Sequence, residues 1–288
     1  MPYGIGKPVP PPDEECISLL HRACEAGINY IDTAAGYGRS EELVGKAFAR
    51  FTPKPVIATK VTLRKNQQDP ENLRGAFLRK HIEESVLRSL KNLGCETLDL
   101  LQLHVASDSF IVSELLESMD DLSSRGLVRY WGASTYGLEA PMEALADPNR
   151  FYTLQVAYNI LDRRQEDVVI PRCKEQGVGL VLRSVFFFGA LSERAYTLPD
   201  SLSGVRTPAL RAAQVAASAG ISLPALALRY AAFFPQPCIT LCGTTSIEEI
   251  EGNIAAFEAG PLPGAIREDL DDLKLYDDFL LNPGNWDV

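Results

Sequence analysis

The sequence predicts an α/β protein of the (β/α)8 TIM-barrel type, lacking its first strand and folded as a single domain over residues 1–288. Three observations lead there. Short apolar runs of strand character alternate with longer helical patterns along the whole chain, the pattern of a parallel sheet covered by helices. No G-x-G-x-x-G turn follows any of these runs, which argues against an open dinucleotide-binding sheet; the nearest, YGIG at the start, leads into prolines. The C-terminal ends of the runs carry polar or ionisable cargo, namely Asp32, Lys60, His104, Ser134, Gln155 with Asn159, Arg183 and the Gly243 turn. Those ends are where a barrel builds its site.

Taken in order, DEECISLLHRACEAG (13–27) has apolar residues at helical spacing, acids in its first turn and a glycine stop, and reads as a helix. INYIDTA follows as a short buried strand. Further strands are PVIATKV (55–61), LDLLQLH (98–104), VRYWGAS (128–134), TLQVAYN (153–159), GLVLRSV (179–185) and CITLCG (238–243). Long helical patterns separate them, among them 72–94 and 112–126, and no linker or low-complexity stretch interrupts the series. That makes seven strands where a closed barrel needs eight. MPYGIGKPVPPP runs directly into the first helix, so Met1 is expected to lie just past strand one. A chain extended upstream by roughly 10 to 20 residues, one strand and its turn, is expected to be more soluble and more active, because the strands flanking the gap would then be paired.

Composition narrows the partners. With 46% hydrophobic and 23% charged residues the chain is an ordinary globular protein. A net charge of −10 repels phosphate backbones and anionic lipid, so neither nucleic acid nor membrane is expected, and a small molecule fits better. The six cysteines form no CxxC pair and have no histidine at zinc-ligand spacing; no metal site is expected, and the thiols read as reduced, in a cytoplasmic protein. No run approaches 18 apolar residues, and the first 15 residues lack the basic and apolar regions of a signal peptide.

Asp32, Tyr37, Lys60 and His104 fall on three successive strand-to-helix connections, where a barrel brings them together. Reduction of a carbonyl by hydride needs a proton donor at the developing alkoxide. A tyrosine hydroxyl, with a pKa of about 10 when unperturbed, serves when a neighbouring cation lowers it. Lys60 supplies the cation, Asp32 pairs with Lys60, and His104 donates to the carbonyl oxygen and assists proton relay. Taken singly, each residue has a plainer reading: Asp32 a turn residue, Lys60 a surface lysine, His104 a satisfied core histidine. Convergence favours the functional one. His21 and His81 lie on helical patterns and are read as surface residues. Phe186, Phe187 and Phe188, just past a strand end, are either core or a partial lid on a substrate pocket.

At these residues the chain resembles the aldo-keto reductase family, through GINYIDTAAGYGRSEELVGKAF (27–48), VIATKV (56–61), LDLLQLH (98–104), WGAST (131–135), LQVAYNILDRR (154–164) and CGTTSIEEIEGN (242–253). The resemblance implies a TIM barrel binding NADP(H) or NAD(H) without a Rossmann fold, Tyr37 as general acid/base, and Asp32, Lys60 and His104 around it. It places Ser134 and Gln155 at the nicotinamide carboxamide, although the Asn commonly following that Ser is Thr135 here. Arg183, before Ser184, stands where many members stack a ring on the nicotinamide, and an arginine can stack its guanidinium or reach the pyrophosphate instead. The Gly243, Thr244, Thr245 turn suits an anion at a helix start, and Asn253 matches the adenine-recognising position. Thr245 and Glu249 stand where NADPH-using relatives often carry cations, which points toward NADH; the plainer reading of Glu249 is a capping box with Ser246. Within the family, RSVFFFGAL (183–191) and the terminal NPxxW look nearest to a bacterial-type subgroup linked to sugar metabolism. The expected substrate is a small-molecule carbonyl or sugar and the expected assembly a monomer or small homo-oligomer. Two alternatives stand beside the reductase: a Schiff-base lyase using Lys60, and a cofactor-binding regulatory protein of the same fold.

Overall fold

A computed structural model describes residues 11–64, 73–106, 110–147, 149–234 and 238–286. The N-terminal segment on which the missing-strand expectation rests, and residue 72, where the second long helix was expected to begin, lie outside the described residues. The chain forms two compact units, one of residues 11–155 and 171–179, the other of residues 156–170 and 180 onward.

In the first unit, α1 (Asp13–Glu25) opens with Asp13, Glu14 and Glu15, whose charges suit the positive end of the helix, and stops at Gly27, whose φ of +96° favours glycine. The short strand β1 (Tyr30–Asp32) leads through a tight turn into α2 (Ser40–Phe48). Then come β2 (Val56–Thr62), α3 (Gly75–Leu93), β3 (Leu98–Ala106), α4 (Ser113–Ser124), β4 (Val128–Thr135), α5 (Glu139–Ala144) and β5 (Thr153–Ala157), which ends in the second unit. α6 (Val169–Gln176) follows, and β6 (Gly179–Arg183), α7 (Ser203–Ser218), α8 (Leu223–Ala232), β7 (Cys238–Thr240), α9 (Ile247–Glu258) and α10 (Gly264–Glu268) complete the series.

Among the described residues there are seven strands, the number read from the sequence, hydrogen-bonded in sequence order β1 to β7. The pairings are parallel, as the near-continuous apolar runs require. Their register decides which side chains meet. Lys60 pairs with Gln102, Gln102 with Gly132, and Gly132 with Thr153, so these four residues share one row across β2 to β5. Thr62, His104, Ser134 and Gln155 share the row two residues further on. Two rows, polar but for Gly132, therefore run through strands whose other positions, such as Leu101, Leu103, Ala133 and Leu154, are fully buried and apolar.

Helix α2 lies against α3 at Gly45, where an added Cβ would stand 2.4 Å from the Asn92 carbonyl oxygen and 2.9 Å from Leu93 backbone atoms. Backbone cannot yield as a flexible side chain does. Gly45→Ala is therefore expected to cost about 1–3 kcal/mol by forcing the helices apart. Gly252→Ala, on α9 with nothing within 4 Å of the new methyl, should gain a few tenths to about 1 kcal/mol from helix propensity. Denaturant midpoints of the two variants check this: equal shifts in the same direction would refute the packing argument.

Candidate active site

In the first unit, the turn after β1 carries Tyr37. The Tyr37 amide donates to the Ala34 carbonyl at 2.9 Å and the Ser40 amide to the Tyr37 carbonyl at 3.1 Å, closing the chain between strand and helix. Two side-chain links hold this turn to the sheet. The Thr33 hydroxyl donates to the Ser40 hydroxyl at 2.8 Å. Glu41, 1% exposed, accepts from the Thr59 hydroxyl at 2.6 Å and from the Asn92 amide at 3.1 Å. A buried carboxylate is costly unless its lone pairs are taken up, and here β2 and α3 supply the donors.

Beside Tyr37 lies Lys60, 1% exposed in the middle of β2. Its ammonium donates to Asp32 Oδ2 and, at 2.9 Å, to the Thr33 carbonyl, and it stands 5.1 Å from the centre of the Tyr37 ring. His104 meets the same ring edge-on, with centroids 5.6 Å apart and planes at 81°. The four residues expected from the sequence thus come together, although His104 lies two residues before the end of β3, which continues to Ala106 across a register irregularity.

The other oxygen of Asp32 is taken by two amides. Gln155 Nε2 donates to Oδ1 at 2.9 Å and Gln102 Nε2 at 3.2 Å. Gln155 in turn accepts from the Ser134 hydroxyl at 3.1 Å. A continuous polar chain therefore runs from Ser134 through Gln155 to Asp32 and on to Lys60. The sequence reading assigned Ser134 and Gln155 to a nicotinamide site but gave Gln102 and Glu41 no role. For Gln102 the available signal was its place two residues before His104 in an apolar strand, which puts both side chains on one face of the sheet.

The second unit holds the remaining candidates. Arg183 ends β6, with its guanidinium donating to the Ser184 hydroxyl at 3.1 Å. Asn159 donates to the Ser184 carbonyl at 3.0 Å, and its side-chain oxygen accepts from the amides of Leu161 and Asp162. Ser184, Phe187 and Phe188 all have positive φ, uncommon outside glycine, so the loop after β6 is strained. The phenylalanine run packs on the C-terminal tryptophan. Phe187 is buried and Phe188 half-buried, and both meet Trp286 edge-on, with centroids 5.1 and 6.1 Å away.

Ahead of α9, Gly243 leaves space in which an added Cβ would touch nothing within 4 Å. The helix cap is half the expected box. Ser246 Oγ accepts from the Glu249 amide at 3.3 Å, but the Glu249 carboxylate takes the Thr244 hydroxyl instead of returning to the Ser246 amide, which donates to Thr244 Oγ1 at 3.0 Å. Ser246 also donates to Glu248, which keeps that carboxyl below its usual pKa. Thr245 is exposed and Asn253 half-buried on the helix.

Two sequence assignments are corrected. His21 and His81 are not free surface residues. His21 Nε2 bonds the Ala47 carbonyl at 2.7 Å with the ring stacked on Phe51, and His81 Nε2 bonds the Thr62 carbonyl at 3.1 Å. Burial holds the His81 imidazole below its usual pKa. All six cysteines are free thiols, and burial pushes Cys173 and Cys242 up to about 12, which leaves them unreactive at neutral pH. Among the described residues no single helix is long and apolar enough to cross a membrane.

Comparison with known proteins shows the family. Residues 3–274 match the model of the aldo/keto reductase family. The NADH-specific methylglyoxal reductase of Escherichia coli (strain K12) is 27% identical over 269 residues, covering 84% of this chain and 82% of that protein. Among solved structures, the holo form of aldo-keto reductase AKR11C1 from Bacillus halodurans superposes with a TM-score of 0.77 at 28% identity, covering 91% of this chain and 87% of the other. An aldo-keto reductase from Klebsiella pneumoniae in complex with NADPH gives a TM-score of 0.72 at 25% identity over 91% and 85%.

Proposed function

The chain belongs to the aldo/keto reductase family and is an NAD(P)-dependent oxidoreductase of (β/α)8 fold, and we propose that it interconverts a small-molecule aldehyde, ketone or aldose with the corresponding alcohol, using Tyr37 as the general acid/base. The observation that carries this reading is the Lys60 ammonium, buried, fixed by Asp32 and set beside the Tyr37 ring with His104 at its edge.

When bound, the nicotinamide supplies or accepts the hydride. The protein manages the proton. As negative charge grows on the carbonyl oxygen, the Tyr37 hydroxyl donates to it, and the Lys60 cation stabilises the phenolate left behind. Asp32 keeps the ammonium in place, and the amides of Gln155 and Gln102 keep Asp32 from rotating away. His104 is placed to donate to the same oxygen. Ser134 and Gln155 are suited to the carboxamide, and Arg183, Ser184, Gly243, Thr244, Thr245 and Asn253 to the phosphates and adenine. Turnover of aldehydes, ketones and aldoses, followed at the nicotinamide absorbance, tests the reading; no turnover of any of them with either cofactor would overturn it.

A Schiff-base lyase is a poorer account, because a nucleophilic lysine must shed its proton, whereas Lys60 donates hydrogen bonds to the Asp32 carboxylate and the Thr33 carbonyl, which favour its ammonium form. Cofactor choice follows from α9. Glu248 and Glu249 place two carboxylates in its first turn, and Thr245 offers no cation for a 2′-phosphate. NADH is therefore expected to bind about 5–10-fold more tightly than NADPH, the effect of roughly one unfavourable charge contact. Fluorescence titration with both reduced cofactors reads this, and a clear preference for NADPH would sink the argument.

A further inference from the structure

Resting on the proton-donor reading of Tyr37, we infer that Gln102 is a positioning residue for the reaction, holding the Asp32 carboxylate in the rotamer that keeps the Lys60 ammonium beside the Tyr37 ring. Gln102 is fully buried in β3 and shares a strand row with Lys60. Its Nε2 reaches Asp32 Oδ1 from the side of β3, while Gln155 reaches the same oxygen from β5. Oδ1 is thus gripped from two strands and Oδ2 is left to Lys60.

Space for this amide is built into the neighbouring strand. Gly132 is the register partner of Gln102, and an added Cβ there would stand 3.1 Å from Gln102 Cγ and 2.3 Å from Thr153 Oγ1. Among the described residues the amide makes no second bond that would explain its burial, since Gln102 Oε1 is buried with no hydrogen-bond partner there. Such an oxygen costs free energy, and an apolar side chain would avoid that cost. What Gln102 offers in return is its N–H on Asp32. Gln155 cannot fully substitute, because it is also tied to Ser134 and belongs to the group suited to the carboxamide.

Three variants test the assignment: Gln102→Met, Gln102→Glu and Tyr37→Phe. Gln102→Met keeps length and volume but removes the donor. Its kcat is expected to fall about tenfold, the effect of one charge-assisted hydrogen bond, with NADH affinity unchanged. Gln102→Glu keeps the shape and donates through its O–H only while protonated, so its kcat should approach the parent's at acidic pH and fall about tenfold as pH rises. A packing role alone predicts no such pH-dependent rescue. Independently of turnover, the ultraviolet titration of Tyr37, taken as the difference from the Tyr37→Phe background, should move to higher pH in Gln102→Met. With one donor lost, the Asp32 charge offsets the Lys60 field more fully.

If Tyr37→Phe is inactive while both Gln102 variants keep the parent's kcat, pH profile and tyrosine titration, the assignment of Gln102 is wrong and the proton-donor reading stands. Should Tyr37→Phe keep parent turnover, both fall together. If Gln102→Met fails to fold, Gln102→Glu decides by its pH profile alone.

Discussion

Replacing Tyr37 by phenylalanine is expected to lower kcat by about 10² to 10⁴-fold, the range lost when a positioned general acid is removed, while NADH binds as before. The separation is expected because, in the proposed reaction, the hydroxyl acts only on the reacting oxygen. Tyr37 sits on the turn after β1, whose backbone is fixed by the Ala34 and Ser40 bonds and whose flanks are held through Thr33 and Glu41. None of those contacts uses the phenol oxygen, so the ring of the variant should keep its edge contact with His104. The measurement is steady-state turnover of the best carbonyl substrate beside a fluorescence titration of NADH. Turnover within a few-fold of the parent would mean that another group delivers the proton.

How much of this was legible in the sequence depends on how far each residue's partners lie along the chain. α1 and the α3 stop at Gly94 were readable, because helical spacing and a left-handed glycine are local signals. Strand ends were read less well. TLQVAYN stops being strand at Ala157 because the Asn159 side chain accepts the amides of Leu161 and Asp162 and turns the chain, which no alternation of apolar residues announces. Asp32, Lys60 and His104, the three residues around Tyr37, were readable because each is a polar interruption at or near the end of an apolar run. Gln102 and Glu41 were not given roles, since each lies inside an element and its role is defined by partners 70, 18 and 51 residues away. The same limit explains His21 and His81. A helical pattern tells which face a histidine occupies, but not that a carbonyl of another element, Ala47 or Thr62, waits opposite it.

Lys60→Met is expected to damage both catalysis and stability, and the two losses can be separated. Without the ammonium, Tyr37 loses the charge that stabilises its phenolate, and kcat should fall by at least about 10²-fold. Asp32 is simultaneously left as a largely buried carboxylate, 16% exposed, with amide donors but no counter-charge. Breaking a buried pair by removing one partner costs about 3–5 kcal/mol, and the retained amides place this case near the lower figure. Neutralising the orphan should reverse that loss. The double variant Lys60→Met, Asp32→Asn is therefore expected to recover much of the melting temperature lost in the single variant, because amide and thioether can share the site without an uncompensated charge, while its turnover stays at the single variant's level. Thermal melts and kcat measured on the parent, the single and the double variant give the result. Recovery of activity together with stability would show that Lys60 serves the fold alone, and full activity in the single variant would remove the cation from the proton-transfer step altogether.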